Sequence, residues 1–152
     1  MERFRFEQLL RIKTQFEEIK KSELAKQNQI LKEYIARKLE LEKNMNKVKE
    51  DLKTLCMNGF SPQQLKLYSQ FLAVLKKRRD VQNQLIYYQQ LRVEEKKKEV
   101  IESMIEKKKF EKLKEKYLLN LMNEIKQLEN KELDRVMSYK IYKGIGDKSG
   151  RD

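Results

Sequence analysis

What most limits the folds open to this chain is where its helix breakers fall. The only proline is Pro62, the nearest glycine is Gly59, and the other three glycines all lie beyond residue 143. On either side of this point apolar residues recur at three- and four-residue spacing, which predicts two long helices. The stretch MNGFSPQQL, Met57 to Leu65, carries stop and start signals in order. Gly59 can adopt the left-handed backbone that ends a helix. Ser61 is a good N-cap, Pro62 suits the first helical position, and Gln64 completes a capping box. Phe60 and Leu65 hold the two positions of a hydrophobic staple.

A connection this short forces the helices antiparallel, so residues whose numbers sum to about 120 should face each other. Leu55 then meets Leu65, Leu52 meets Tyr68, Val48 meets Leu72 and Met45 meets Leu75. Farther from the turn, Lys38 would face Gln82 and Leu31 would face Gln89, so the best packing is expected at the tip. Before the turn a first run, Leu9, Ile12, Phe16 and Ile19, is one residue out of phase with a second. The second takes Leu24, Leu31, Tyr34, Leu41, Met45, Val48, Leu52 and Leu55, so the supercoil should relax near Ser22. The expected fold is all-α, a long antiparallel two-helix coiled-coil hairpin with a longer C-terminal helix. It forms a single domain over 1–143, with arm one at about 2–57, the turn at 58–61 and arm two at about 62–142. The tail, 144–152, is expected to be disordered.

Composition supports a narrow seam rather than a layered core. Charged residues make up 39% of the chain and hydrophobic residues 39%, against the roughly 25% and 45–50% usual in globular domains. There is no histidine and one cysteine, Cys56, which argues against metal sites, a histidine-based triad or an internal disulfide. The carboxylates sit at helix-surface spacing beside lysines, and no glycine-rich phosphate loop is present, so no enzyme and no cofactor is expected. The opening MERFRFEQLL resembles no signal peptide and no segment has the length of a membrane span, so a soluble, intracellular protein is expected. The net charge of +12 raises nucleic-acid binding as a rival function. The basic clusters at 76–79, 96–98 and 107–109 lie within helical pattern, however, and adjoin acidic residues, as a solvated helix face would.

Arm two carries more apolar surface than one partner helix covers. Phe71, Val74, Val81, Leu85 and Tyr88 form a second stripe, which either folds partly over the seam, mediates self-association as in a scaffold protein, or docks a partner. At ~1.5 Å per residue arm two should also overshoot arm one by roughly two dozen residues. Leu118, Leu121, Ile125, Leu128, Leu133, Val136 and Met137 fall mostly in that overhang, with Phe4, Phe6, Leu9 and Leu10 at its root.

Three passages, in order along the chain, resemble the FliJ family of flagellar type III export proteins. FRFEQLLRIK at 4–13 is similar to the family's aromatic-basic-aromatic opening and leucine pair. LYSQFLAVL at 67–75 is similar to its Tyr-x-x-Phe-x-x-x-Leu pattern behind an Asn-Gly turn, and KKKFEKLKEK at 107–116 with ENKELDRVMSYK at 129–140 resembles its late basic and closing segments. The injectisome counterparts (the YscO-like proteins) are similar in shape.

The resemblance implies a coiled coil similar to the central stalk of rotary ATPases, cytoplasmic and peripheral to the membrane at the flagellar base. It implies insertion of the end carrying both termini into the hexamer of the export ATPase FliI, which works with FliH. It further implies contact behind the tip with the cytoplasmic domain of the export gate protein FlhA and, for some members, binding of empty export chaperones. Carried over by position, the ATPase-facing candidates are Phe4, Phe6, Leu9, Leu121, Ile125, Leu128 and Val136. The gate-facing candidates are Leu41, Phe71 and Leu75, of which Leu75 also fits the seam.

Overall fold

The computed structural model describes residues 4–59 and 61–149, with side chains to residue 145. The chain is all-α: helix α1 spans Glu7–Asn58 and helix α2 spans Pro62–Ser149, with no strand among the described residues. Between them Gly59 has φ of +85°, the left-handed conformation expected of a helix-ending glycine. Ser61 and Gln64 form the reciprocal capping box: the Gln64 amide donates to Ser61 Oγ at 3.2 Å, and the Ser61 amide donates to Gln64 Oε1 at 3.5 Å. Phe60, the expected staple partner of Leu65, lies outside the described residues.

Both outer boundaries differ from expectation. Helix α1 begins at Glu7 rather than near residue 2. No Ser, Thr, Asp or Asn precedes it to cap free amides, and the Glu7 amide instead donates to the Phe4 carbonyl in a turn, at 3.1 Å. Helix α2 runs past Tyr142, through Gly144 and Gly146, to Ser149. An interior glycine costs a helix only about 1 kcal/mol, and without proline or a left-handed residue nothing there enforces a stop. Of the expected disordered tail, residues 150–152 lie outside the described residues.

Contacts gather into two compact units, Thr14–Ile105 and Met1–Lys13 with Glu106–Asp152. In the first, the less exposed positions of α1 include Glu17, Lys20, Leu24, Gln27, Leu31, Tyr34, Lys38, Leu41, Met45, Val48, Leu52 and Leu55. Those of α2 include Leu65, Tyr68, Leu72, Leu75, Arg79, Gln82, Ile86, Gln89, Val93, Lys96, Val100 and Ser103. Each series alternates steps of three and four, the spacing of a heptad seam. Met45, Val48 and Leu75 form a buried cluster against which Leu41, Tyr68 and Leu72 pack, as the turn-set register requires. Burying each such side chain contributes about 1.5–3 kcal/mol.

Three expectations about this seam are corrected. Phe16 and Ile19 are 49% and 55% exposed, while Glu17 and Lys20 occupy the seam. The frame set by Leu24 to Leu55 therefore holds through Glu17, with no phase change at Ser22. It can do so because Glu17 is paired by Lys21 at 2.7 Å and Lys20 by Glu99 at 3.3 Å. Secondly, Gln82 and Gln89 do not settle on Lys38 and Leu31. Neither of those side chains accepts a hydrogen bond, and a buried amide needs an acceptor. Gln82 Nε2 donates to the Tyr34 carbonyl at 3.0 Å, and Gln89 Nε2 donates to the Gln27 carbonyl, also at 3.0 Å. Thirdly, Leu52, Leu55, Leu65 and Tyr68 beside the turn are only half-buried, whereas Met45, Leu75 and Val93 are almost fully covered. Helix ends have neighbours on one side only, so the closest packing lies behind the tip.

In the second unit Phe6 packs on Phe110, with ring centroids 6.1 Å apart, and Phe4 packs on Tyr117 at 5.6 Å. Lys114 pairs with Glu7 at 3.1 Å and Lys13 lies 3.8 Å from Glu106. Leu121 is the last half-buried residue; every described side chain from Met122 to Ile145 is exposed.

Candidate partner-binding surfaces

Two surfaces carry apolar area that the chain leaves uncovered. The first lies in the Thr14–Ile105 unit, where α1 and α2 leave an open groove of about 610 Å³. Its walls include Leu41 from α1 and Val74 and Val81 from α2. Val74 and Val81 each lie one residue before a seam position, Leu75 and Gln82, so helical geometry turns them to the flank of the seam. They are 47% and 52% exposed, and Phe71 and Leu85 continue the same stripe at 52% and 41%. Around the groove stand Arg37, Lys77 and Arg78, with Glu40 the acidic residue among its lining.

The second surface lies in the other unit. Phe4, Phe6, Leu113 and Tyr117, with Arg5, Lys116 and Asn120, line a depression of about 520 Å³. The ring contacts that hold Phe4 and Phe6 in place come from Phe110 and Tyr117 on α2. Beyond it, Ile125, Leu128 and Val136 are 49%, 64% and 49% exposed.

Compared with known families, residues 1–144 match the one described as the flagellar FliJ protein. The chain belongs to the FliJ family. FliJ is a non-catalytic family of flagellar protein export, and the match covers α1, the turn and α2 as far as residue 144. No curated protein and no solved structure matches the chain.

Within this FliJ chain the gate-facing candidates separate by exposure. Phe71 is open to a partner, Leu41 is half-buried in the groove wall, and Leu75, at 3%, is enclosed in the seam. Leu75 belongs to the buried cluster with Met45 and Val48, on which Leu41 packs. Among the ATPase-facing candidates Phe4, Phe6 and Leu121 are half-buried, while Leu9, Ile125, Leu128 and Val136 are exposed. Sequence reasoning missed Phe110 and Tyr117, the rings that seat Phe4 and Phe6. It also missed Arg37, Lys77 and Arg78 at the groove, because a KKRR run within helical pattern reads as a solvated face.

One set of charges is paired across the two helices. Lys96 donates to Glu23 at 3.1 Å and to Glu99 at 3.0 Å, and Lys20 donates to Glu99 at 3.3 Å. Hydrogen bonds from Lys96 hold the Glu23 and Glu99 carboxyls below the usual carboxylate range, and bonds to Glu99 and then Glu23 hold the Lys96 ammonium above its usual value. This network ties α1 to α2. Among the described residues no cluster of His, Cys, Asp and Glu could hold a metal ion, and no helix is long and apolar enough to cross a membrane.

Proposed function

We propose that this FliJ-family chain is a non-enzymatic stalk of the flagellar type III export apparatus, built as one long antiparallel coiled-coil hairpin over residues 1–143. The end carrying both termini enters the ring of the export ATPase FliI, which works with FliH, and promotes its assembly and activity. The groove behind the turn meets the cytoplasmic domain of the export gate protein FlhA, so that the hairpin couples the two machines and escorts empty export chaperones. It would do so in the cytoplasm, held peripherally at the inner face of the membrane at the flagellar base.

The observation that carries this reading is the bare length of α2 after Leu121. A helix of that length without packing is marginal in water, yet it displays Ile125, Leu128 and Val136 to solvent. Phe4, Phe6 and Leu9 add to the ATPase-facing set, and Leu41, Phe71 and Leu75 form the gate-facing set. The hairpin is supported by cross-helix contacts in which numbers fall on α1 as they rise on α2, from Tyr34 with Gln82 to Lys20 with Glu99. Stimulation of ATP hydrolysis by the cognate FliI hexamer, with and without residues 118–152, tests the reading.

A further inference from the structure

The groove between Leu41, Val74 and Val81 is flanked by three cations, Arg37, Lys77 and Arg78. Lys20 and Lys96 each have a carboxylate within 3.3 Å, and Arg79 pairs with Asp80 at 3.2 Å. Arg78, beside Arg79, turns to the groove instead, and Arg37, Lys77 and Arg78 form no ion pair among the described residues. The Arg37 guanidinium lies 5.8 Å from the Tyr34 ring centroid, which sets its position along α1.

An apolar floor flanked by unpaired cations is complementary to an apolar face flanked by carboxylates. The stripe from Phe71 to Leu85 runs about 21 Å at the helical rise, the length of a four-turn helix. A groove between two helices accepts a third by the helix-in-groove mode, with anchors at i, i+3 or i+4 and i+7. We propose that the occupant of this groove is an acidic amphipathic helix of a partner protein, its apolar face on Val74 and Val81 and its carboxylates on Arg37 and Arg78. The inference rests on the reading of this groove as the gate-facing surface, and adds to it the chemistry of what the groove receives.

The test uses the full chain and two synthetic amphipathic peptides of ~18 residues, identical except that one flanks its leucines with glutamates and the other with lysines. Fluorescence anisotropy should show the glutamate peptide binding about ten-fold or more tightly than the lysine peptide, with an affinity that falls as salt rises. The R37E/R78E variant, its helicity checked by circular dichroism, should reverse that preference. Equal binding of the two peptides, or an unchanged preference in the double variant, overturns the proposal. So does a groove that ignores both peptides and binds phosphatidylglycerol vesicles through the same arginines, since a lipid surface would then be the occupant. Titration of the FlhA cytoplasmic domain separates the two readings. If it binds the chain while the peptides show no charge preference, the acidic-helix proposal falls alone; if it does not bind while the peptides behave as expected, the gate assignment falls instead.

Discussion

The side-chain amide of Gln89 reaches across to Gln27, donating to its backbone carbonyl at 3.0 Å and to its side-chain oxygen at 2.7 Å. Gln89 is 3% exposed, so this is a polar layer inside an otherwise apolar stretch bounded by Ile86 and Val93. Removing one member leaves the other short of a partner. Gln89→Leu should therefore destabilise the chain by about 1 kcal/mol or more in urea titrations. Gln27→Leu with Gln89→Leu should recover that loss, because two facing leucines need no hydrogen bonds. A double variant less stable than either single change would contradict this account of the layer.

Leu75 and Phe71 stand one helical turn apart and should answer differently to truncation. Leu75→Ala empties the buried cluster with Met45 and Val48 and should cost about 2–5 kcal/mol. Phe71→Ala removes a ring that is 52% exposed and should change stability by less than about 0.5 kcal/mol. It should weaken binding to the FlhA cytoplasmic domain while helicity is retained. Unchanged affinity by calorimetry would remove Phe71 from the gate-facing set.

At the turn, Gly59 is required for its backbone and not for space. Its φ is +85°, and a Cβ placed there would meet nothing within 4 Å. Gly59→Ala should then cost about 1–2 kcal/mol through the left-handed conformation alone. Ser61→Ala, which loses the bond to the Gln64 amide, should cost about 1 kcal/mol. Hydrogen exchange should show the added opening confined to residues near the turn.

The turn was the most legible feature of the sequence, because capping is local: Gly59, Ser61 and Gln64 need only one another. The register of Met45 on Leu75 followed from the turn's position for the same reason. What could not be read locally was which face of α1 turns inward before Leu24. Periodicity favoured Phe16 and Ile19, but the outcome depends on whether Glu17 and Lys20 find partners, and one of those partners, Glu99, lies on the other helix. The groove was half visible. Val74 and Val81 stood out as a stripe, whereas Arg37 joins them only once α1 is docked against α2. Exposed Ile125, Leu128 and Val136 were foreseeable from the unequal lengths of the two arms, while the seating of Phe4 and Phe6 on Tyr117 and Phe110 was not.

The charge network predicts a direction for acid sensitivity. Glu23 and Glu99 are lowered from an ordinary carboxylate value of 4.5, so their contribution is present above that value. It is lost as pH falls through it toward the lower values of the folded state. Lys96 is raised from 10.5, so its contribution is lost only in strongly alkaline solution. Thermal melts between about pH 3 and pH 6 should show stability dropping with acid. The slope should be shallower in Glu23→Gln with Glu99→Gln, which starts from a lower stability at the upper end. Equal slopes would place the acid sensitivity elsewhere.

The central claim is that the uncovered end of α2 acts on the export ATPase. Its most direct measurement is the rate of ATP hydrolysis by the cognate FliI hexamer with the full chain and with a chain lacking residues 118–152. The account predicts that the full chain raises the rate and that the truncated chain, which retains the turn and the groove, does not. Full stimulation by the truncated chain would contradict it.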